Sequence, residues 1–225
     1  MQTKPTIAII GGTGDLGSGL GRLWAGAGYP IVIGSRSSEK AAAAAAELSG
    51  LDGAVTGADN RGAARAGQVV VLAVPYSTHD QIVSEIAGEV AGKIVVDAAV
   101  PLVPPKVSTV QLPAEGSPAL TAQRLLGSGV RVVSAFHNVG ARKLHAGERA
   151  DCDVLVFGDD PAARAEIIEL AGVVGTRGVD GGVLANSVAA EALTSVLIGI
   201  NRRYKVPGAG IRITGLPGAA VNGHG

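Results

Sequence analysis

Apolar residues in the first part of the chain fall in continuous β-branched runs rather than in alternation: TIAII at 6–10, PIVIG at 30–34, QVVVLAV at 68–74, KIVVD at 93–97 and VRVVSAF at 130–136. A run without polar alternates predicts a strand buried on both faces, as in a parallel sheet. Between the runs, helical patterns span Leu16–Ala27, Ser38–Leu48 and Ser77–Val90, each long enough to cross over such a sheet. Six alanines at 41–46 sit where one crossover helix is due, and alanine is the best helix former. Ser77 predicts an N-cap for the third helix, with Asp80 completing a capping box. The alternation of strand and helix predicts an α/β fold, a Rossmann-type doubly wound parallel sheet.

From Val100 to Gly129 the pattern breaks: Pro101, Pro104, Pro105, Pro113 and Pro118 predict a long functional loop followed by a short helix. After Phe136 a second series begins, with CDVLVFG as a strand, PAARAEIIELAGVVG as a helix with Pro161 in its first turn, and GVLANSVAAEALTSVLIGINRRY as a longer helix. The expected division is therefore a dinucleotide-binding domain over 1–136 and a smaller C-terminal α/β domain over 137–225.

Composition narrows the function. Nineteen basic and nineteen acidic residues cancel, and aromatic residues make up only 3% of the chain, so nothing favours nucleic acid or an anionic membrane surface. The expected partner is a small molecule. One cysteine, Cys152, excludes an intrachain disulfide and a cysteine-rich metal site; no metal is expected. No signal-peptide pattern follows Lys4 and Pro5, and the run Val188–Ile200, short and broken by Glu191, reads as a core helix rather than a membrane span. A cytoplasmic protein is the expectation from these points.

With 34 glycines in the chain, G-x-G-x-x-G spacing alone means little. Gly12, Gly14 and Gly17, however, follow the first strand and open the first helix, where a dinucleotide fingerprint belongs. In that setting Gly12 permits a tight turn, Gly14 lets backbone approach a pyrophosphate, and Gly17 lets helix and strand pack closely. The helix N-terminus offers free N–H groups and partial positive charge to the phosphates. An NAD site places a carboxylate at the end of the second strand; here the strand ends in GSRSSEK. Ser35, Arg36 and Lys40 put a hydroxyl, a guanidinium and an ammonium where a 2′-phosphate would lie, which predicts NADP.

Taken together, GGTGDLGSGL, GSRSSEKA, VLAVPYSTH, VPLVPPKV, VVSAFHNV, CDVLVFGDD and LIGINRRYKVPGAGIRITGL resemble the F420-dependent NADP reductases over nearly the whole chain. SAFHNV and INRRYKVPGAGIRITGL are the specific elements. The resemblance implies that Thr13, Gly14, Asp15 and Leu16 form the NADP turn, that Ser35, Arg36 and Lys40 hold its 2′-phosphate, and that further contacts come from Thr78, Val100, Ala141 and Ala209. It also implies a deazaflavin pocket, for coenzyme F420, where Val74 and Pro75 at a strand tip meet His137, Asn138 and the second domain. Asp15 departs from the uncharged residues common at its position: its carboxylate must point away from a pyrophosphate or cap its own helix. Arg202 and Arg203 read as a solvated helix end, with attraction of the deazaflavin's anionic tail as the alternative.

The implied reaction is hydride transfer between C5 of the reduced deazaflavin and C4 of the nicotinamide. The two rings carry that chemistry, so the protein need only stack them and exclude water, and no catalytic acid or base is expected. The resemblance also implies a homodimer. The rival readings are an NADP-dependent imine or keto-acid reductase, which needs a proton donor, and a non-catalytic NADPH sensor.

Overall fold

The structure is a computed structural model describing residues 3–148 and 150–216; the last part of the expected C-terminal domain, 217–225, lies outside the described residues. Eight strands, β1 (Ile7–Ile10), β2 (Ile31–Ser35), β3 (Val55–Asp59), β4 (Val69–Leu72), β5 (Ile94–Asp97), β6 (Arg131–Ser134), β7 (Asp153–Gly158) and β8 (Arg177–Gly182), form one sheet in the order β3-β2-β1-β4-β5-β6-β7-β8. The first six run parallel, β7 is antiparallel to β6, and β8 is parallel to β7. The sheet reverses direction between β6 and β7 but continues unbroken across that point.

Side chains alternate between the two faces of each strand, and both faces are covered. Ile7, Ile9, Ile31, Ile33, Val69 and Val71 pack against α1 (Asp15–Gly26), α2 (Ser38–Ala46), α6 (Ala141–His145) and α7 (Pro161–Val173). Ala8, Ile10, Val70, Leu72 and Val95 pack against α3 (Asn60–Ala66), α4 (His79–Ile86) and α5 (Pro118–Leu126). This is why the central strands lack polar alternates: neither face meets water. Trp24 on α1 donates through Nε1 to Leu170 O of α7 at 3.0 Å and meets Phe136 edge-on at 5.8 Å, tying the later segment to the first.

The edge elements β3, α3 and β8 add to the sequence expectation. The helix expected over Ser77–Val90 is α4 flanked by 3₁₀ turns at Tyr76–Thr78 and Ala87–Glu89. The capping box at Ser77 is corrected: Thr78 takes the N-cap position without a side-chain cap bond, and its Oγ1 donates to Pro75 O at 3.1 Å. Asp80 turns instead to His79 Nδ1, 2.7 Å away, because an imidazolium is a stronger partner for a carboxylate than a neutral amide.

The C-terminal helix α8 (Ser187–Tyr204) follows a 3₁₀ turn at Leu184–Asn186. The apolar run Val188–Ile200 lies inside a longer helical stretch, Leu184–Tyr204, which is long and apolar enough to cross a membrane by length and composition only; its most apolar window has a mean hydropathy of 1.3 and is 33% buried. Its one acidic residue, Glu191, is enclosed by protein, accepting hydrogen bonds from Ser117 at 2.8 Å and Ser134 at 3.0 Å.

Candidate active site

A cleft of about 990 Å³ opens at the C-terminal ends of β1, β2, β4 and β5. Strand order reverses between β1 and β4, the switch point where open parallel sheets bind ligands. On one side lie Thr13, Gly14, Asp15 and Leu16; at one end Ser35, Arg36, Ser37 and Lys40; on the other side Val74 through Thr78 with Ala98, Val100 and Leu102.

The turn glycines divide by what a side chain would meet. Gly11 has the left-handed backbone, φ +80, and a Cβ there would lie 2.5 Å from Ala73 O. The tight turn therefore belongs to Gly11 rather than Gly12, whose Cβ would press on Ile9 O at 2.9 Å. At Gly17 a Cβ would lie 2.8 Å from both Gly11 O and Gly12 Cα, so this glycine lets α1 close on the turn. Gly14 is different: its nearest neighbour would be Gly11 O at 3.5 Å, ordinary contact. Nothing in the protein itself demands a glycine there, whereas a pyrophosphate lying against that backbone would. Gly14 is also the N-cap of α1 and uses no side chain to satisfy the helix's free N–H groups. Asp15 does not cap its helix; it is the first helical residue, exposed at the cleft.

At the β2 end, Ser37 Oγ caps α2 by accepting from Lys40 N at 3.3 Å. Arg36 and Lys40 are exposed on the cleft, and among the described residues neither belongs to an ion pair. Two unpaired cations at a helix N-terminus oppose the dipole, so the arrangement suits an external anion. Ser35, Arg36 and Lys40 are brought together as the sequence predicts.

The sequence-predicted residues beyond the switch point separate into two places. Val74, Pro75, Thr78 and Val100 line the cleft. His137 and Asn138 are buried away from its lining. His137 Nε2 is 2.9 Å from Ser134 Oγ, and its main-chain carbonyl accepts from Thr194 Oγ1 at 2.9 Å. Burial lowers its pKa to about 4 against the opposing charge of Asp97, leaving the ring neutral. Asn138 Nδ2 donates to Asp153 O at 2.8 Å, holding the start of β7. Ala141 opens α6 and Ala209 donates its N–H to Asn201 Oδ1 at 2.7 Å; the fold brings these distant segments together at Gly140 and Gly208.

Two residues absent from the sequence expectation lie directly behind the cleft wall. His79, fully buried, has Nε2 2.7 Å from Asp97 Oδ2 and Nδ1 2.7 Å from Asp80 Oδ1. Burial alone would lower its pKa, but the hydrogen bonds and charges of Asp97 and Asp80 prevail and raise it to about 9. A carboxylate ending an apolar strand, as in KIVVD, is the signal that could have revealed the pair.

A doubly wound sheet with a glycine turn at its switch point and two unpaired cations at the end of β2 has the architecture of the Rossmann-type dinucleotide-binding proteins. Residues 6–101 match the family model described as NADP oxidoreductase, coenzyme F420-dependent. The chain is 41% identical over 221 residues to the F420-dependent NADP reductase of Methanocaldococcus jannaschii, covering 93% of this chain and 98% of that protein. It is 42% identical over 222 residues to the enzyme of that name from Methanothermobacter thermautotrophicus, covering 94% and 95% respectively. A crystal structure from Arthrobacter sp. FB24, put forward as an F420-dependent NADP reductase, superposes with a TM-score of 0.76 at 26% identity over 92% of this chain and 98% of that one. The chain belongs to the F420-dependent NADP reductase family, whose members use NADP and coenzyme F420.

Proposed function

We propose that this protein transfers hydride, reversibly, between reduced coenzyme F420 and NADP. The match to named reductases, 41% and 42% identical over nearly the whole chain, carries the reading, and the cleft supports it residue by residue. With both co-substrates bound, the deazaflavin C5 and nicotinamide C4 supply the chemistry, one hydride passing between them. Gly14 leaves room for a pyrophosphate at the N-terminus of α1, while Gly12 and Gly17 hold the shape of the turn. Ser35, Arg36 and Lys40 hold the 2′-phosphate. Val74, Pro75, Ala98 and Val100 form an apolar wall that orients a flat ring and excludes water.

The deazaflavin is placed against the far end of this wall, toward the segment from His137 to Ala141 and Ala209, so that 137–225 completes the pocket begun by 1–136. His137, neutral and hydrogen-bonded to Ser134, orders that segment rather than exchanging protons. No acid or base is required of the chain, and this separates it from an imine reductase.

A homodimer is formed through the exposed apolar side of α8, where Val196 is 45%, Ile200 36% and Tyr204 68% exposed. Charge at Val196 and Ile200 would then yield monomers by sedimentation. The protein is placed in the cytoplasm, with its small-molecule partners. The test of function is direct: protein mixed with NADP and reduced F420 should generate the absorbance of oxidised deazaflavin. NADPH binding without that change would favour the sensor and overturn the proposal.

A further inference from the structure

We propose that His79 and Asp97 are positioning residues for the nicotinamide half of NADP, fixing the separation of the two turns between which that ring must lie. The inference rests on the proposed NADP site.

The direction of the dinucleotide follows from the cleft. Its phosphorylated ribose belongs at Arg36 beyond β2 and its pyrophosphate at Gly14 beyond β1, so the nicotinamide crosses the switch point onto the ends of β4 and β5. Its walls there are Pro75–Thr78, which leaves β4, and Ala98–Val100, which leaves β5. Strand pairing holds Leu72 beside Asp97, and one last backbone bond, from Ala98 N to Leu72 O at 3.1 Å, closes the ladder; no strand bond between β4 and β5 sets how far apart the turns stand beyond it.

The His79–Asp97 pair supplies that missing constraint. One oxygen of Asp97, Oδ1, accepts from Ala99 N at 2.9 Å and so fixes the turn after β5. The other, Oδ2, accepts from His79 Nε2 at 2.7 Å and so fixes the first turn of α4, next to Thr78. A single carboxylate pins both walls. Asp80 accepts from the second imidazole nitrogen and fixes the ring plane. Both His79 and Asp97 are out of contact with water, at 0% and 1% exposure. A buried ion pair gives little net stability compared with an apolar pair of equal volume; what this one supplies is defined geometry beneath a binding surface.

The experiment compares binding of NADP with that of 2′-phospho-ADP-ribose, which lacks the nicotinamide, by calorimetry. The variants are Asp97→Asn and the double variant His79→Gln/Asp97→Asn, which leaves no unpaired buried charge. The expected result is that the variants bind the fragment as the wild type does, lose about tenfold in NADP affinity, and lose kcat with the KM for F420 unchanged. Equal loss for fragment and NADP would mean general loosening of the fold and would overturn the inference, as would full retention of NADP binding. In the wild type, hydrogen exchange at 76–80 and 98–100 should slow with NADP and not with the fragment; equal slowing, or none, also overturns it. Failure of the wild type to bind either ligand would instead refute the NADP site itself.

Discussion

Glu191 on α8 accepts a hydrogen bond from Ser134 at the end of β6, 3.0 Å away, while its second oxygen is buried without a partner among the described residues. Burial raises its pKa to about 7, outweighing the hydroxyl hydrogen bonds that lower it and adding to the effect of Asp97. A carboxyl whose folded pKa is raised favours the folded state most below its unfolded value, and that contribution is lost as pH rises through the folded value. The window here runs from 4.5 to about 7. The shift corresponds to roughly 3 kcal/mol. Glu191→Gln, which cannot ionise, should therefore narrow the fall in Tm between pH 5 and pH 8, by about 2–4 °C per kcal/mol recovered for a chain of this size. Thermal melts at the two pH values check this; a fall as large as that of the wild type would refute a buried, titrating Glu191.

Arg36 separates NADP from NAD. It faces the cleft without an ion-pair partner among the described residues. Its removal costs only what a ligand phosphate receives from it, typically about 1.5–3 kcal/mol for a charge-assisted hydrogen bond. Arg36→Ala should weaken NADP by that amount and leave NAD nearly unchanged, measured by titration with each. Equal losses for both dinucleotides would remove the guanidinium from the 2′-phosphate.

Gly14 and Gly17 make opposite predictions from the same substitution. Gly14→Ala adds a methyl group that meets only ordinary contact, so the Tm should hold while NADP affinity falls. Gly17→Ala forces a methyl to within 2.8 Å of two backbone atoms of the turn, so stability itself should fall, by about 1–3 kcal/mol as for other overpacked sites. Melts and NADP titrations of the two variants distinguish the roles; a Gly14→Ala protein that binds NADP normally would remove the pyrophosphate from that position.

The central strands, the crossover helices, the glycine turn and the choice of NADP are all legible in the residues alone. Each of these is written in contiguous residues: β-branched runs for strands buried on both faces, and the glycine turn with Ser35, Arg36 and Lys40 for the proposed phosphate contacts. The edges of the sheet were not legible. β3 and β8 contain few β-branched residues and are held by backbone packing at glycine: a Cβ at Gly57 would run into the backbone of α2 at Ala41 and Ala42, and one at Gly178 would lie 2.8 Å from Ile168 of α7. Only the folded chain shows what those glycines make room for.

The residues around the nicotinamide end depended on tertiary structure most of all. His137 could be read as a site residue from its neighbours in FHNV, but only the fold buries it against Ser134 and leaves it neutral. His79 and Asp97 stand 18 positions apart and meet because β4 and β5 pair in parallel. A hydrophobic run specifies its own burial, since that follows from composition alone; a pair of charges becomes a device only when the sheet decides which strand ends are neighbours.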